Sequence, residues 1–156
     1  MLIANSKMKE FISDIDLSSI ELKNYYSVSK KENADREKYF IINKEIDCSL
    51  CSVSASGLEL TLYEYKENEI YLSNSRKLED ILNLSLKIFL SIKKILEDNY
   101  SDTIFDIILS IDFENEKTAP CSFISFYAVR DNFRIIDLKD IDNFKSDAVL
   151  IETVNK

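Results

Sequence analysis

The sequence predicts an α+β domain: a mainly antiparallel sheet with one long central helix and a short N-terminal helix packed on it. A long apolar segment with helical periodicity lies in the middle of the chain, and short β-rich segments precede and follow it. Strands and helices do not alternate regularly, as they would in a parallel sheet. With 156 residues, of which 46% are hydrophobic, the chain fits a single domain, residues 1–156, with a substantial core.

The clearest helix is predicted at about residues 75–98. Ser75 is a suitable N-cap, and Glu79 and Asp80 follow where the helix dipole favours acids. Apolar side chains cover most of its circumference, which predicts a helix packed deeply across the sheet. Its apolar face is expected to contain Leu78, Ile81, Leu82, Phe89, Ile92, Ile95 and Leu96.

The first forty residues give weaker patterns. Apolar residues at helical spacing predict a short helix over residues 6–15, with Ser6 as its N-cap. Residues 20–28 fit either a helix or a strand. Residues 27–38 form the most polar segment of the chain and are predicted to be an exposed loop.

Strands are predicted on both sides of the long helix. Residues 58–65 alternate Leu58, Leu60 and Leu62 with polar residues, and a polar turn joins them to residues 70–73 in a predicted hairpin. Residues 103–113 alternate so regularly that only one face is expected to be buried. The turn at residues 130–133 contains Asp and Asn, which tolerate positive φ. The remaining predictions are strands at 39–43, 46–54, 122–130, 133–138 and 148–154, and a helical turn within 138–144.

The composition excludes several kinds of catalytic site. Gly57 is the only glycine, so a phosphate-binding loop, which needs several glycines close together, cannot be formed. The chain has no histidine, which removes the commonest general base and the Ser-His and Cys-His nucleophiles. An enzyme that uses carboxylates alone remains an open alternative, but no pair of acids stands out. We therefore predict a protein that is not an enzyme.

Two motifs suggest a cofactor or a metal but do not satisfy its requirements. Cys48 and Cys51 form a CxxC inside a β-like segment, where residues three apart point to opposite faces of a strand, so an inert pair is predicted. Cys121 is the only further cysteine, too few for a zinc site without histidine. The aspartates near residues 137–147 lack the glycine and glutamate of a calcium loop. No metal and no cofactor are predicted.

The net charge of −8, from 28 acidic and 20 basic residues, bears on partners. Such a field repels nucleic acids and anionic membranes, and it favours a basic protein partner. The first residues lack the apolar segment of a signal peptide, and no apolar segment reaches the roughly 20 residues of a membrane span. Together with the odd number of cysteines, these features predict a cytoplasmic location.

Acids interleaved with aromatic residues mark the candidate binding surface. Carboxylates steer a basic partner, and aromatic rings provide buried anchors in protein interfaces. An ordinary solvated sheet surface is the alternative interpretation. The candidate partner-binding residues are Glu64, Glu67, Glu69, Asp112, Glu114, Glu116, Tyr63, Tyr65, Phe123 and Tyr127.

Two binding functions fit these features. In size, acidity and lack of catalytic groups the chain resembles immunity or inhibitor proteins, in which a small acidic domain blocks the active site of a basic bacterial toxin, such as a nuclease. The alternative is a module similar to secretion chaperones, which hold a segment of an exported client. Chaperones of that kind need a dimer interface, whereas an inhibitor can act as a monomer, the state favoured here.

Overall fold

The computed structural model describes residues 1–44, 53–73, 77–112, 120–144 and 147–156. Within these ranges the chain forms three α-helices and seven strands. The helices are α1 (Ser6–Ile12), α2 (Leu58–Glu67) and α3 (Leu78–Asn99). The strands are β1 (Leu2–Ala4), β2 (Val28–Glu32), β3 (Lys38–Ile42), β4 (Ile70–Ser73), β5 (Phe105–Asp112), β6 (Cys121–Ala128) and β7 (Asp147–Val154).

Five strands make one antiparallel sheet in the order β1-β7-β5-β6-β4, and β2 and β3 pair separately as an antiparallel hairpin. The central strand β5 pairs along its full length with both β6 and β7. The α+β class and the mainly antiparallel sheet are therefore confirmed. So are the predicted strands at 39–43, 70–73, 122–130 and 148–154, within one to two residues at each end.

The long helix α3 covers the first face of the sheet, as predicted. Phe89, Ile92 and Leu96 are fully buried, in one core cluster with Phe105, Phe126 and other side chains of the first face. The helix begins at Leu78 with Lys77 in the capping position, and Ser75 lies outside the described residues. None of the described helices combines the length and apolar character needed to cross a membrane.

The N-terminal helix α1 is present but shorter than predicted, and its cap is Asn5 instead of Ser6. The Asn5 side-chain oxygen accepts the amide of Met8 at 2.9 Å and the amide of Val149 in β7 at 3.0 Å. One asparagine thus caps α1 and fastens it to the sheet. Met8 is buried in the same core cluster as α3.

The predicted strand at residues 58–65 is wrong, and so is its hairpin with 70–73: these residues form α2. The buried side chains of this segment include Leu60, Thr61 and Glu64, with Asn68 just after the last turn. Their spacing is helical. Alternation among three leucines was too short to distinguish a strand from a helix built of good helix formers.

The predicted loop at 27–38 is also wrong, because it contains β2 and the start of β3. Asn33 forms the turn between them: its side-chain oxygen accepts the amides of Asp35 and Glu37 at 3.0 and 2.8 Å. Residues 20–27 are neither helix nor strand. The predicted strand at 46–54 lies almost wholly outside the described residues, as do Cys48 and Cys51.

The second face of the sheet is partly covered, so the expectation that β5 buries only one face is wrong. Asp106 and Ile108 point to this second face and are buried. Residues 129–144 cover them; this segment contains the predicted tight turn, with Asp131 and Asn132 at positive φ, and a 3-10 turn at Ile141–Asn143. Residues 133–138 form no strand, because after the turn the chain crosses the sheet instead of pairing with it.

Candidate functional site

Among the residues that the structure describes, the second face is covered at one end only, and the other end carries the candidate site. At the covered end Asp106, Tyr127 and Ile151 are buried. At the opposite end, which we call the open end, most side chains of this face are exposed or half-buried. Strand register brings together there Tyr71 of β4, Ser110 and Asp112 of β5, Cys121 and Phe123 of β6, and Asp147 of β7.

A groove of about 260 Å³ runs across the open end. Ile108 and Val149 form its apolar floor, since they are sheet residues that point to this face. Residues 129–144 bound it on one side, and α2 bounds it on the other. We call this the aromatic groove; it is lined by Tyr65, Ile108, Ser110, Phe123, Ile136, Phe144, Asp147 and Val149.

Tyr65 connects the groove with α2. Its ring lies 5.6 Å from that of Phe123 and 6.0 Å from that of Tyr127, and its carbonyl accepts the Ser125 hydroxyl at 2.5 Å. These contacts fix α2 against β6. Leu58 and Leu62 are on the same helical stripe as Tyr65 and are 42% and 52% exposed, so the apolar surface continues from the groove along α2.

Carboxylates surround these rings. Burial raises the pKa of Tyr65, and the charge of Glu69, just before β4, raises it further. The pKa of Tyr71 is also raised, mainly by its hydrogen bond with the Cys121 thiol and to a smaller extent by the charge of Asp112. Asp147 accepts the Ser110 hydroxyl at 2.9 Å. Among the described residues, no lysine or arginine lines the groove, so its charge is negative.

Comparisons with protein-family models, with curated proteins and with solved structures find no match to this chain. No relative lends it a function.

Four of the predicted partner-binding residues meet at the open end: Tyr65, Glu69, Asp112 and Phe123. Glu67 and Tyr63 lie on another side of α2, where Tyr63 packs edge to face on Tyr39 of β3 at 5.9 Å. Glu114 and Glu116 lie outside the described residues.

Glu64 and Tyr127 do not belong to an exposed surface, and that part of the prediction is wrong. Both are fully buried. Glu64 pairs with Arg130 through both carboxylate oxygens at 2.8 Å, and it also accepts the amides of Phe40 and Ala128 at 2.9 and 2.8 Å. Asn68, one turn further along, bonds to Phe40 and Phe126 carbonyls at 2.9 and 3.1 Å. Glu64 of α2 and Asn68, just after the helix, join the β2–β3 hairpin to β6, which is a structural role.

Tyr127 belongs to a second buried network at the covered end. Its hydroxyl donates to Asp106 at 3.2 Å and accepts the amide of Ile135 at 3.1 Å. Asp106 is also bonded by Arg134 and by the Thr153 hydroxyl. Burial, followed by the Asp106 charge, raises the pKa of Tyr127. The network fastens residues 129–144 over the sheet, and its carboxylate is fully paired instead of being available for chemistry.

Sequence reasoning missed Phe144, Asp147 and Tyr71, together with the leucine stripe on α2. Asp147 and Val149 carried a usable signal, because alternation in β7 places them on the same face as Ile151. The strand β4, which contains Tyr71, is too short for its sequence pattern to show which face of the sheet Tyr71 lies on. Phe144 was hidden because irregular chain has no periodicity from which its direction could be read. Among the described residues, no group of three or more acids and cysteines could hold a metal ion.

Proposed function

We propose that this chain binds a basic protein partner through the open end of its sheet, and that it acts as an immunity or inhibitor protein that blocks the partner's active site. The observation that carries the proposal is the aromatic groove with carboxylates around it. An apolar centre with a charged rim is typical of protein interfaces. Tyr65 and Phe123 supply the anchors, and Glu69, Asp112 and Asp147 supply the charge.

The charge and the anchors have separate effects. Carboxylates at the rim attract a basic partner over distances up to about 8 Å at physiological ionic strength, which raises the association rate. Aromatic side chains that become buried in the complex slow its dissociation instead. Each contribution can therefore be tested by a different kinetic constant.

For the charge, we expect the double variant Glu69→Lys and Asp112→Lys to associate about tenfold more slowly, with a weaker salt dependence. The partner is first obtained by co-purification with the full chain from the native host, and the rates are measured at two salt concentrations. The matched control is Glu59→Lys with Glu67→Lys, which changes the net charge equally on exposed residues of α2 away from the groove. Equal effects of the two double variants, or an acidic partner, would show that the open end is not the steering surface.

For the anchors, we expect Phe123→Ala to speed dissociation roughly 30-fold, because truncation of a central anchor costs about 2 kcal/mol or more. The association rate should change little. Leu22→Ala is the control, since Leu22 is a partly exposed apolar residue in the segment before β2. Unchanged dissociation of the Phe123 variant, with its thermal unfolding intact, contradicts the proposed anchor. Sedimentation of the free chain as a stable dimer favours the chaperone-like alternative.

A further inference from the structure

We propose that the aromatic groove is a binding site for an arginine side chain. This proposal rests on the proposed function, because the basic partner supplies the arginine. Three aromatic rings and one carboxylate line the groove: Tyr65, Phe123, Phe144 and Asp147. Rings attract a cation over their faces, and a carboxylate pairs with it. The groove thus offers both of the groups that a cationic side chain requires.

The carboxylate decides between a cation and an apolar anchor. An apolar side chain in the groove would remove water from Asp147 without replacing its interactions, and burying an unpaired charge is costly. An anionic group would be repelled by the same residue and by the neighbouring Asp112 and Glu69. A cation is compatible with both the apolar floor and the acid.

Arginine fits better than lysine for two reasons. The planar guanidinium stacks on aromatic rings and is more weakly hydrated than an ammonium group, so it loses less on entering an apolar groove. Its donors also form a fork that matches a carboxylate, whereas lysine acts as a point charge. The methylene groups of arginine can then lie on Ile108 and Val149, the floor of the groove.

Asp147 is held in place before any ligand arrives. Its side chain accepts the Ser110 hydroxyl at 2.9 Å, and its carbonyl accepts the buried Asn5 side chain at 2.8 Å. The rings of Tyr65 and Phe123 are likewise fixed by packing on each other, with their centroids 5.6 Å apart. A fixed site loses less conformational entropy on binding, which favours recognition of a single side chain.

The test uses the full chain and three short peptides, acetyl-Gly-Xaa-Gly-amide with Xaa as arginine, lysine or citrulline. Citrulline has nearly the shape of arginine without its charge. In NMR titrations we expect the arginine peptide to bind at millimolar concentration and to shift the amides of Ser110, Phe123 and Val149. The citrulline peptide should bind at least tenfold more weakly, and the lysine peptide severalfold more weakly than arginine.

Two variants separate the contributions of charge and ring. Asp147→Asn should weaken the arginine peptide about tenfold or more, and Phe123→Leu, which keeps an apolar side chain, about threefold or more. Asp98→Asn is the control, because it removes one negative charge from an exposed position of α3 on the other face of the sheet. Equal binding of arginine and citrulline peptides, or shifts that do not include the groove, overturn the arginine site.

The same variants distinguish failure of this proposal from failure of the proposed function. A partner whose binding depends on Phe123 and on the rim acids but not on Asp147 would overturn the arginine site and leave the proposed function in place. An arginine peptide that binds the groove, while the partner ignores every change at the open end, would keep the site and overturn the proposed function.

Discussion

Phe89→Asp is expected to abolish the folded state. Phe89 lies at the centre of α3 with no exposed surface, and it is part of the core cluster between this helix and the first face of the sheet. An aspartate there would lose the ring's packing and bury a carboxylate without a partner. Either loss costs several kcal/mol, against a typical total stability of about 5–15 kcal/mol for a domain.

Circular dichroism and urea unfolding measure this effect. Asn83→Asp is the matched control: it introduces the same charge in the same helix at an exposed position, and its midpoint should stay close to that of the native chain. If Phe89→Asp yields a soluble protein with a cooperative unfolding transition near that of the control, the assignment of the apolar face of α3 is wrong.

The elements that could be predicted from the sequence are those whose pattern is long and whose burial is uniform. The residues of α3 repeat over six turns, and β5 to β7 are strongly apolar, so their existence did not depend on details of packing. The burial of the second face of β5 was missed because Asp106 looks like a solvent-facing residue. Its partners Arg134 and Thr153 come from other parts of the chain, so the local sequence pattern does not indicate them.

The candidate site was predicted only in part, because it too depends on contacts between distant parts of the chain. Glu69, Asp112, Tyr65 and Phe123, predicted as acids with aromatic neighbours, lie near one another at the open end. Glu64 was grouped with them only because a strand was assumed: in α2 it lies on the buried side, 100° from Tyr65 around the helix. The groove itself depends on the strand order and on the path of residues 129–144, which are tertiary features.

Arg130→Met is expected to lower the free energy of unfolding by about 3–5 kcal/mol at neutral pH. The Glu64 carboxylate is fully buried, and the Arg130 side chain is 18% exposed. Both carboxylate oxygens bond to the guanidinium, which also donates to the Lys38 carbonyl at 2.9 Å. Methionine keeps much of the apolar volume but, within the described part of the chain, leaves the charge of Glu64 with only the amides of Phe40 and Ala128. This loss would loosen α2 from both β3 and β6.

The loss should depend on pH in a defined direction. Burial raises the pKa of Glu64, and Arg130 is the main group that opposes this rise. Removing Arg130 therefore moves the folded-state pKa of Glu64 further above its unfolded value. An acid shifted in this direction binds its proton more tightly in the folded state, so the stability of the variant falls as pH rises through the raised pKa and recovers as pH is lowered. The difference from the native chain should shrink between neutral pH and mildly acidic pH.

Urea unfolding at several pH values, with the native chain measured in parallel, tests this expectation. The double variant Arg130→Met with Glu64→Gln has no buried charge at this position, so its difference from the native chain should vary much less with pH. Lys66→Met removes one positive charge from an exposed position of the same helix and should change stability by less than about 0.5 kcal/mol. A deficit in Arg130→Met that stays constant over the whole pH range would mean that the Glu64 charge is not what Arg130 stabilises. The bridge between α2, β3 and β6 would then depend on hydrogen-bond geometry alone.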